Sequence, residues 1–501
     1  MDRERKKRIQ TVKLIITEII MVITVVIAVI ILTFVAMGYN VNKDGDLAQS
    51  GLLQVKSIPT GAAVTIDGET MSAKTNMSKM LSGGQHSLVL SKDGYDTWSK
   101  TITSEPGWLL KLDYPKLFLK NRTMEKVREY NGNIQIISYS PDASQIIYKV
   151  ENDEKWTLLN ISGDDVNETK LDLSKYIGSN ETREINWNKN NDKLLMRTKN
   201  NGENEWIVIN LRSLENSINI TKEFNIKLSK IDFLTGVGDR LIVLENGNLR
   251  IISIGERTMS QVLAKNVEDF SHNEDDIVYI GGIVPSKEVI ELVNAVKKDE
   301  ADGKSDEAVE VKSTDYAEDR LMRAVMFYSD NTDDSFVMDL EPGVAVKLTL
   351  FNYLGKDYYA VTENEQLKIF AGSYPRRSIG LSDMEKIVDE KLKIIPNELI
   401  VWTEGELMMA KNGNNIAMFD AELTKLSEYE LESDNTFFPD EYLLGTVADG
   451  ELIVRDFDGE NRRILAKSEA SGGVISKNHK WLYYSLVVDG KTNIFRERII
   501  D

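Results

Sequence analysis

The sequence of 501 residues contains no cysteine and only three histidines. The absence of cysteine excludes disulfide bonds, thiolate metal sites, iron–sulfur clusters and cysteine nucleophiles. The three histidines, His86, His272 and His479, lie far apart in the chain, and no H-x-x-x-H spacing typical of metal ligands occurs. We therefore predict that the protein holds neither a metal nor another cofactor.

The sequence also lacks the common signatures of catalysis. It has no G-x-S-x-G nucleophile turn, no P-loop, no Rossmann glycine run and no complete calcium-binding loop. Eighty acidic residues offer many carboxylate pairs of the kind that hydrolyse glycosides, but nothing in the sequence distinguishes one pair from the others. We predict a protein that is not an enzyme, and we name no catalytic residue.

The charge of the chain is strongly asymmetric. The net charge is −19, yet residues 1–13 carry six basic and two acidic side chains, so the remainder carries −23. An acidic domain of this kind repels nucleic acid and anionic lipid headgroups. The charge therefore excludes a nucleic-acid partner and favours cationic partners or solubility outside the cell.

One long hydrophobic run, residues 19–37, contains 19 residues without a charge. As a helix it extends about 28 Å, which is close to the thickness of a bilayer's hydrocarbon core. Basic residues precede the run, and Lys and Arg remain on the cytoplasmic side of membranes. We predict a cytoplasmic tail at 1–13, a transmembrane helix at 14–37, a linker at 38–50 and an extracytoplasmic remainder. A cleaved signal peptide is the alternative, but its apolar core usually spans about 7–15 residues and ends at small residues.

The segment 51–113 has the pattern of a small β domain. Short stretches such as 63–66 and 86–90 alternate apolar and polar residues, which is typical of half-buried strands. Asp67-Gly68 suits a tight hairpin, because both residue types accept positive φ angles.

Several motifs follow one another in this segment: the tetrad Pro59, Thr60, Gly61 and Ala62, then Gly84-Gln85-His86, then residues 93–98. In this order they closely resemble the motifs of the PEGA domain, whose naming tetrad has Glu where this chain has Thr60. The segment departs from the family at 75–77, where Thr-Pro is frequent. The resemblance implies a small β-sandwich-like module of exported bacterial surface proteins, with no enzymatic activity and no agreed ligand.

Three aromatic residues in this module, Tyr95, Trp98 and Trp108, permit two interpretations. They either form a platform that binds sugar rings or complete the core of a small sheet, and the second arrangement is more common. His86 is expected to make a structural hydrogen bond from a strand rather than to bind a ligand.

From residue 131 onwards a turn followed by two β-runs recurs about every 40–48 residues, a period typical of propeller blades. One copy begins at Ser140-Pro141-Asp142, and another at Ser476. These units resemble the divergent blades of the family typified by the translocation protein TolB. We predict a connector at 114–130 and a β-propeller of about seven blades at 131–501, with six or eight blades as alternatives.

Two stretches interrupt this rhythm. Residues 286–320 are acidic and are predicted to form an insertion with a short helix, either a partner-binding element or a solvated loop. Residues 380–393, with Met384, Ile387, Val388 and Leu392 at helical spacing, predict a small surface helix.

These features together predict a mainly β protein. It has an N-terminal single transmembrane helix, a small β-sandwich-like PEGA module and then the β-propeller. The expected function is that of a membrane-anchored extracytoplasmic binding or scaffold protein of the bacterial cell envelope, with an envelope protein or cell-wall glycan as partner. The alternatives are a propeller enzyme acting on envelope glycans and a ligand sensor, although 18 residues before the apolar run are too few for a signalling domain.

Overall fold

The structure is a computed structural model. It describes residues 2–36, 39–41, 47–178, 181–234, 239–274, 276–283, 322–328, 334–374, 384–467 and 472–501. The chain divides into two units, residues 1–123 together with 498–501 (unit 1) and residues 124–497 (unit 2). The predicted insertion at 286–320 lies outside the described residues.

The first element of unit 1 is a helix, α1, which extends over Asp2–Ala36. Its segment Lys13–Phe34 has a mean hydropathy of 3.1, and none of it is buried by the rest of the protein. The hydroxyls of Thr24 and Thr33 donate to carbonyls one helical turn earlier, at 2.8 Å in both cases, so these polar groups are satisfied within the helix. The helix therefore has the length and composition of a membrane span or a signal sequence, and it also includes the basic tail.

Unit 1 continues with eight strands. They are β1 (Tyr39–Val41), β2 (Leu47–Val55), β3 (Ala63–Ile66), β4 (Glu69–Lys74), β5 (Met77–Ser82), β6 (Gly84–Ser91), β7 (Trp98–Ser104) and β8 (Leu109–Leu112). One sheet has β2 at its centre, with β5 on one side and β1 and β8 on the other; the second has the order β4-β3-β6-β7. Side chains from both sheets are fully buried, among them Leu53, Leu88 and Trp98. Alternation along the strands thus provides the two inner faces of a small β-sandwich.

The end of the chain completes unit 1. Beyond β8 the backbone amide of Leu119 donates to the carbonyl of Ile499 at 2.9 Å. Ile499 and Ile500 are both buried. The unit therefore needs residues from both ends of the sequence, a feature that local patterns do not predict.

The described residues of unit 2 form eight antiparallel sheets of four strands each. The first four are β10–β13 (Ile134–Tyr139, Gln145–Val150, Trp156–Asn160, Asn167–Leu171), β14–β17 (Glu181–Trp187, Lys193–Asn200, Glu203–Asn210, Ile218–Asn219), β18–β21 (Leu228–Phe233, Arg240–Glu245, Asn248–Ser253, Thr258–Met259) and β22–β25 (Val267–Asn273, Asp276–Ile283, Met322–Phe327, Ser335–Asp339). The next three are β26–β29 (Val346–Tyr353, Lys356–Glu363, Gln366–Gly372, Met384–Lys391), β30–β33 (Glu398–Trp402, Leu407–Asn412, Asn415–Asp420, Lys425–Glu430) and β34–β37 (Thr436–Asp440, Leu443–Ala448, Glu451–Asp456, Arg463–Lys467). The eighth combines β38 (Gly473–Ile475), β39 (Trp481–Val488) and β40 (Lys491–Arg498) with β9 (Met124–Arg128). Short helices at Ser174–Ile177, Leu214–Asn216, Ile220–Phe224 and Thr403–Gly405 lie between strands.

Each sheet packs against the next, and the ring closes. Sheets one to six share buried clusters pairwise, and the first sheet also shares one with the eighth, where Tyr148 and Tyr483 are both fully buried. The ring of Trp402 in sheet six contacts that of Phe438 in sheet seven, with centroids 4.6 Å apart and the ring planes tilted, and β34 contacts β38. The mainly β fold class with a propeller is thus confirmed, with eight blades where the sequence predicted about seven.

Two details of the sequence interpretation need correction. The predicted connector 114–130 contains β9, which pairs with β40 and closes the ring. Where a helix was predicted at 380–393, the described part of the segment contains strand β29, Met384–Lys391, and residues 380–383 lie outside the described residues. Met384 and Val388 are buried at a spacing of four, which the period of two along a strand produces as readily as a helix does. The pairing with β28 shifts register between Ile369 and Phe370 and leaves Ile387 as an extra, half-buried residue three positions after Met384. Spacings of three and four together imitate those of a helix.

Candidate functional site

The PEGA tetrad forms a turn that a buried hydroxyl network holds in place. The hydroxyl of Thr75 lies 2.6 Å from that of Ser57 and accepts the backbone N–H of Ala62 at 2.9 Å. The Ser57 hydroxyl in turn donates to the carbonyl of Pro59 at 2.7 Å. Ser57, Ala62 and Thr75 are all buried. The tetrad therefore has a structural role, and it offers no free polar group of this network to a ligand.

Replacement of Thr75 by valine is expected to lower the free energy of unfolding of unit 1 by about 1–3 kcal/mol. Valine has nearly the same shape but leaves the Ala62 N–H without its acceptor. Urea unfolding of the soluble fragment 47–501 measures the effect. Thr70→Val, at an exposed hydroxyl that bonds only Thr65, is the matched control and is expected to change stability by less than about 0.5 kcal/mol. Equal losses in both variants would contradict a structural role for the network.

The three aromatic residues do not form a platform. Trp98 is fully buried and Tyr95 nearly so, whereas Trp108 is 68% exposed. The Trp98 ring meets that of Tyr114 edge-on, with centroids 6.2 Å apart. The Tyr95 hydroxyl accepts the backbone N–H of Asp501 at 3.2 Å. Tyr95 and Trp98 thus belong to the core of the module, and Trp108 alone presents its ring to solvent.

His86 bridges two loops of unit 1. Its Nδ1 lies 2.7 Å from Oδ2 of Asp67, and its Nε2 lies 2.9 Å from the carbonyl oxygen of Ser82. A carbonyl only accepts, so Nε2 donates there; with a carboxylate at Nδ1 both nitrogens donate, which is the pattern of the imidazolium. Burial opposes the charged form, but the hydrogen bonds to Asp67 and Ser82 outweigh it and raise the pKa of His86. The hydrogen bond from His86 likewise lowers the pKa of Asp67.

Unit 1 is therefore expected to lose stability as the pH rises. A group with a raised pKa contributes fully below its unfolded pKa, about 6.5 for histidine, and its contribution disappears as the pH passes through the folded pKa. Thermal unfolding of fragment 47–501 at about pH 6 and about pH 8 measures this, with His86→Gln as the reference. If the thermal stability of the wild type depends on pH in the same way as that of the variant, the His86–Asp67 pair is not charged.

In unit 2 we call the turn between the first and second strands of each sheet its first turn. Three first turns share one hydrogen-bond pattern. Asn188 accepts the backbone N–H groups of the residues four and five positions later, at 3.0 and 2.8 Å. Ser140 does the same at 3.1 and 2.9 Å, and Ser476 accepts the N–H of Trp481 at 3.1 Å. This pattern explains why Ser and Asn recur at the start of the repeat, and it positions the first turns.

A cavity of about 590 Å³ lies among the first turns of sheets two, four, five and six. Sheet two is not a neighbour of sheets four to six, so a cavity that they share lies towards the axis of the ring. We call it the axial cavity. Among the residues that the structure describes, the lining includes one lysine, one histidine and four carboxylates: Lys189, His272, Glu274, Asp276, Asp357 and Glu404. These carboxylates outnumber the ammonium group, so the cavity favours cationic or hydrogen-bond-donating ligands.

The backbone around this cavity is closely packed. Gly405 has a φ of +89°, and a Cβ atom there would lie 2.1 Å from the carbonyl oxygen of Asn352, so only glycine fits. Asp357 is held by the side-chain amide of Asn352 at 2.9 Å and by the backbone N–H of Tyr374 at 3.0 Å. Glu404 has a φ of 50°, in the left-handed region that non-glycine residues adopt less often. The turn of sheet six is thereby fixed against that of sheet five.

A second cavity of about 540 Å³ lies between sheets four and five, beside the turn that joins β27 to β28. Its lining includes Glu363 and Lys368, which form an ion pair at 3.0 Å. Among the residues that the structure describes, no group of three or more His, Asp or Glu side chains is placed to hold a metal ion.

The sequence did not identify the axial cavity. Its residues come from four turns that are distant in the chain, and only the ring brings them together. A local signal was present at residues 272–274, where His272 near the end of β22 and Glu274 in the turn that follows are separated by one residue. Only closure of the ring brings these two residues together with residues from the other three turns.

Comparison with known proteins gives one family match and several structural likenesses. Residues 50–116 match the PEGA domain. An oligogalacturonate lyase from Vibrio parahaemolyticus is similar in structure, with 11% identity over 74% of this chain and 98% of its own and a TM-score of 0.38. Dipeptidyl peptidase 4 of Porphyromonas gingivalis is 9% identical over 75% of this chain and 60% of its own, with a TM-score of 0.45. The β-propeller domain of the Trilobed protease from Pyrococcus furiosus is 9% identical over 68% of this chain and 99% of its own, with a TM-score of 0.38. No curated protein matches the chain.

Proposed function

We propose that this protein, which combines an N-terminal apolar helix, a PEGA domain and a β-propeller, is a membrane-anchored binding protein of the bacterial cell envelope. The observation that carries the proposal is the segment Lys13–Phe34, whose mean hydropathy is 3.1 and which nothing in the protein buries. A helix of this kind is stable when lipid surrounds it. The basic residues before it place the N-terminus in the cytoplasm and both β domains outside.

In this proposal the helix is an anchor that the mature protein retains. The uncharged run is longer than the apolar core of a typical signal peptide, and no small-residue cleavage site follows it. Retention keeps the PEGA domain next to the membrane, as a spacer for the propeller.

The propeller would bind its partner without catalysis, through the face that its first turns form. The axial cavity supports this role, because turns from four sheets converge on it and carboxylates dominate its charged lining. The net charge of −23 outside the N-terminal tail also attracts cations to the protein as a whole. The partner is therefore a molecule that carries amino or guanidinium groups, such as a basic segment of an envelope protein or an amino-bearing part of a cell-wall polymer.

Binding of a fluorescent hexalysine peptide to the full protein in nanodiscs tests the cavity. Glu274→Gln combined with Glu404→Gln is expected to weaken binding roughly twofold to thirtyfold, at about 0.2–1 kcal/mol for each exposed charge pair. The matched control is Glu385→Gln with Glu390→Gln, at two exposed carboxylates of β29. Equal affinities of the two double variants for the peptide would exclude the cavity as the binding site. Failure of the wild-type protein to bind the peptide would exclude a cationic partner.

A further inference from the structure

The outer face of one sheet in the PEGA module carries a row of exposed apolar side chains. Leu52 on β2 pairs with Met80 on β5 and, on its other side, with Leu109 on β8. Leu52 and Met80 are each 37% exposed, and Leu109 is 53% exposed. Trp108, which is 68% exposed, directly precedes Leu109. We call these four residues the apolar row; exposed apolar side chains that adjoin one another mark a surface that contacts something.

The apolar row is confined to one level of the sheet. Two residues further along the strands, the same face presents Gln54, Ser78 and Lys111, which are polar. The opposite face at Leu53 is buried in the core. The apolar side chains therefore lie outside the core. They cover only the end of the sheet that is nearer the start of β2.

This level of the sheet lies next to the end of the apolar helix. The rings of Phe34 in α1 and Tyr39 in β1 are 5.1 Å apart. Tyr39 pairs with Gln49 of β2, which lies three residues before Leu52. Strands β1 and β8 pair with the same edge of β2. At about 3.3 Å per residue, the apolar row begins roughly 10 Å from Tyr39 along β2. Trp108 lies closer still, because the amide of the preceding Gly107 donates to the carbonyl of Ser50 at 3.1 Å.

The headgroup layer of a bilayer adds about 5–7 Å on each side of its hydrocarbon core, and tryptophan is enriched at this depth. We propose that the apolar row rests on the outer surface of the membrane that α1 spans, with Trp108 and Leu109 in the headgroup layer. This inference depends on the proposed anchor. The row would fix the orientation of the PEGA domain relative to the membrane, whereas the helix alone fixes only its distance.

Two considerations favour lipid over a second protein. Four side chains cover far less than the ~800 Å² per partner that a stable protein interface buries. A weak lipid contact is sufficient here, because the helix keeps the row at a high effective concentration beside the bilayer. Among the described residues, Lys79, Glu105 and Lys111 lie near the row in sequence, so charges of both signs surround it.

Depth-dependent fluorescence quenching in proteoliposomes tests the contact. Because the natural chain lacks cysteine, a single introduced cysteine carries an environment-sensitive dye without interference. Ser78→Cys lies beside the apolar row and leaves it intact, Ser72→Cys lies exposed on β4 of the other sheet, and Ile23→Cys lies in the helix. The full chain is reconstituted in vesicles of phosphatidylethanolamine and phosphatidylglycerol that carry brominated lipid.

We expect brominated lipid to quench the dyes at positions 23 and 78 and to leave the dye at position 72 bright. In the variant Trp108→Ser with Leu109→Ser, quenching at 78 should fall to the level at 72 while quenching at 23 is unchanged. Quenching at 23 with none at 78 would overturn this inference and leave the anchor intact. Absence of quenching at 23 would overturn the anchor, and this inference with it. A blue shift at 78 that depends on the ratio of protein to lipid, without quenching, would show that a second copy covers the row and would also overturn it.

Discussion

Replacement of Trp98 by alanine is expected to lower the free energy of unfolding of unit 1 by about 3–5 kcal/mol, the usual cost of removing a large buried aromatic side chain. The ring is completely inaccessible to solvent, and it packs edge-on against Tyr114. Trp98 lies on β7, whose whole length pairs with β6, and this pairing limits how far the structure relaxes into the vacated space. Hydrogen exchange of the amides in β6 and β7 of the full protein measures the loss in unit 1 separately from the propeller.

Trp108→Ala is the matched control for this prediction. The same residue type is removed from the same unit, but its ring is 68% exposed, so the expected change is within about 0.5 kcal/mol. The comparison distinguishes the two interpretations of the aromatic residues. If Trp98→Ala leaves exchange in β6 and β7 unchanged, Trp98 is not part of the core and a binding role for it returns.

Deletion of residues 498–501 is expected to destabilise unit 1 by about 3–6 kcal/mol, because burial of each isoleucine side chain contributes about 1.5–3 kcal/mol. Ile499 and Ile500 are buried, and the deletion also removes the acceptor of the Leu119 amide and the donor to the Tyr95 hydroxyl. The propeller should keep its stability, because strand β40 still supplies Ile494 and Phe495 to the pairing with β9. Hydrogen exchange again reports on each unit.

A variant with one substitution controls for the loss of chain length. Asp501→Ala keeps both isoleucines and the backbone bonds, and its side chain is exposed, so its exchange should match that of the wild type. A deletion variant whose unit 1 exchanges as slowly as that of the wild type would contradict the assignment of these residues to unit 1.

The sequence predicts those parts of the fold that have a local cause. An uncharged run predicts the helix, the turn at Asp67-Gly68 and the tetrad predict the PEGA module, and the recurring turns predict a propeller. Asn188 shows why such turns are recognisable: its side chain bonds two backbone amides within five residues, so the turn depends on nearby chain only.

The remaining features depend on contacts between distant residues. The fourth strand of the eighth blade is missed because β9 lies in an apparent connector, more than 350 residues before its partner strand β40, as its pairing of Arg128 with Ile494 shows. Strand β29 imitates a helix because its alternation and one extra residue together give apolar spacings of three and four. The axial cavity exists only once the ring has closed. The exposure of Trp108 likewise depends on how the two sheets of unit 1 pack. No local pattern carries that information.

The topology of the chain in bacterial cells tests the central claim most directly. A membrane-impermeant maleimide is added to intact cells that produce either Ser72→Cys or Gln10→Cys in the full chain, which has no other cysteine. The proposal predicts that position 72 is labelled in intact cells, that position 10 is labelled only after permeabilisation, and that the full-length protein remains in membranes after an alkaline wash. Labelling of position 72 only after permeabilisation, or release of a protein that lacks the helix, would contradict it.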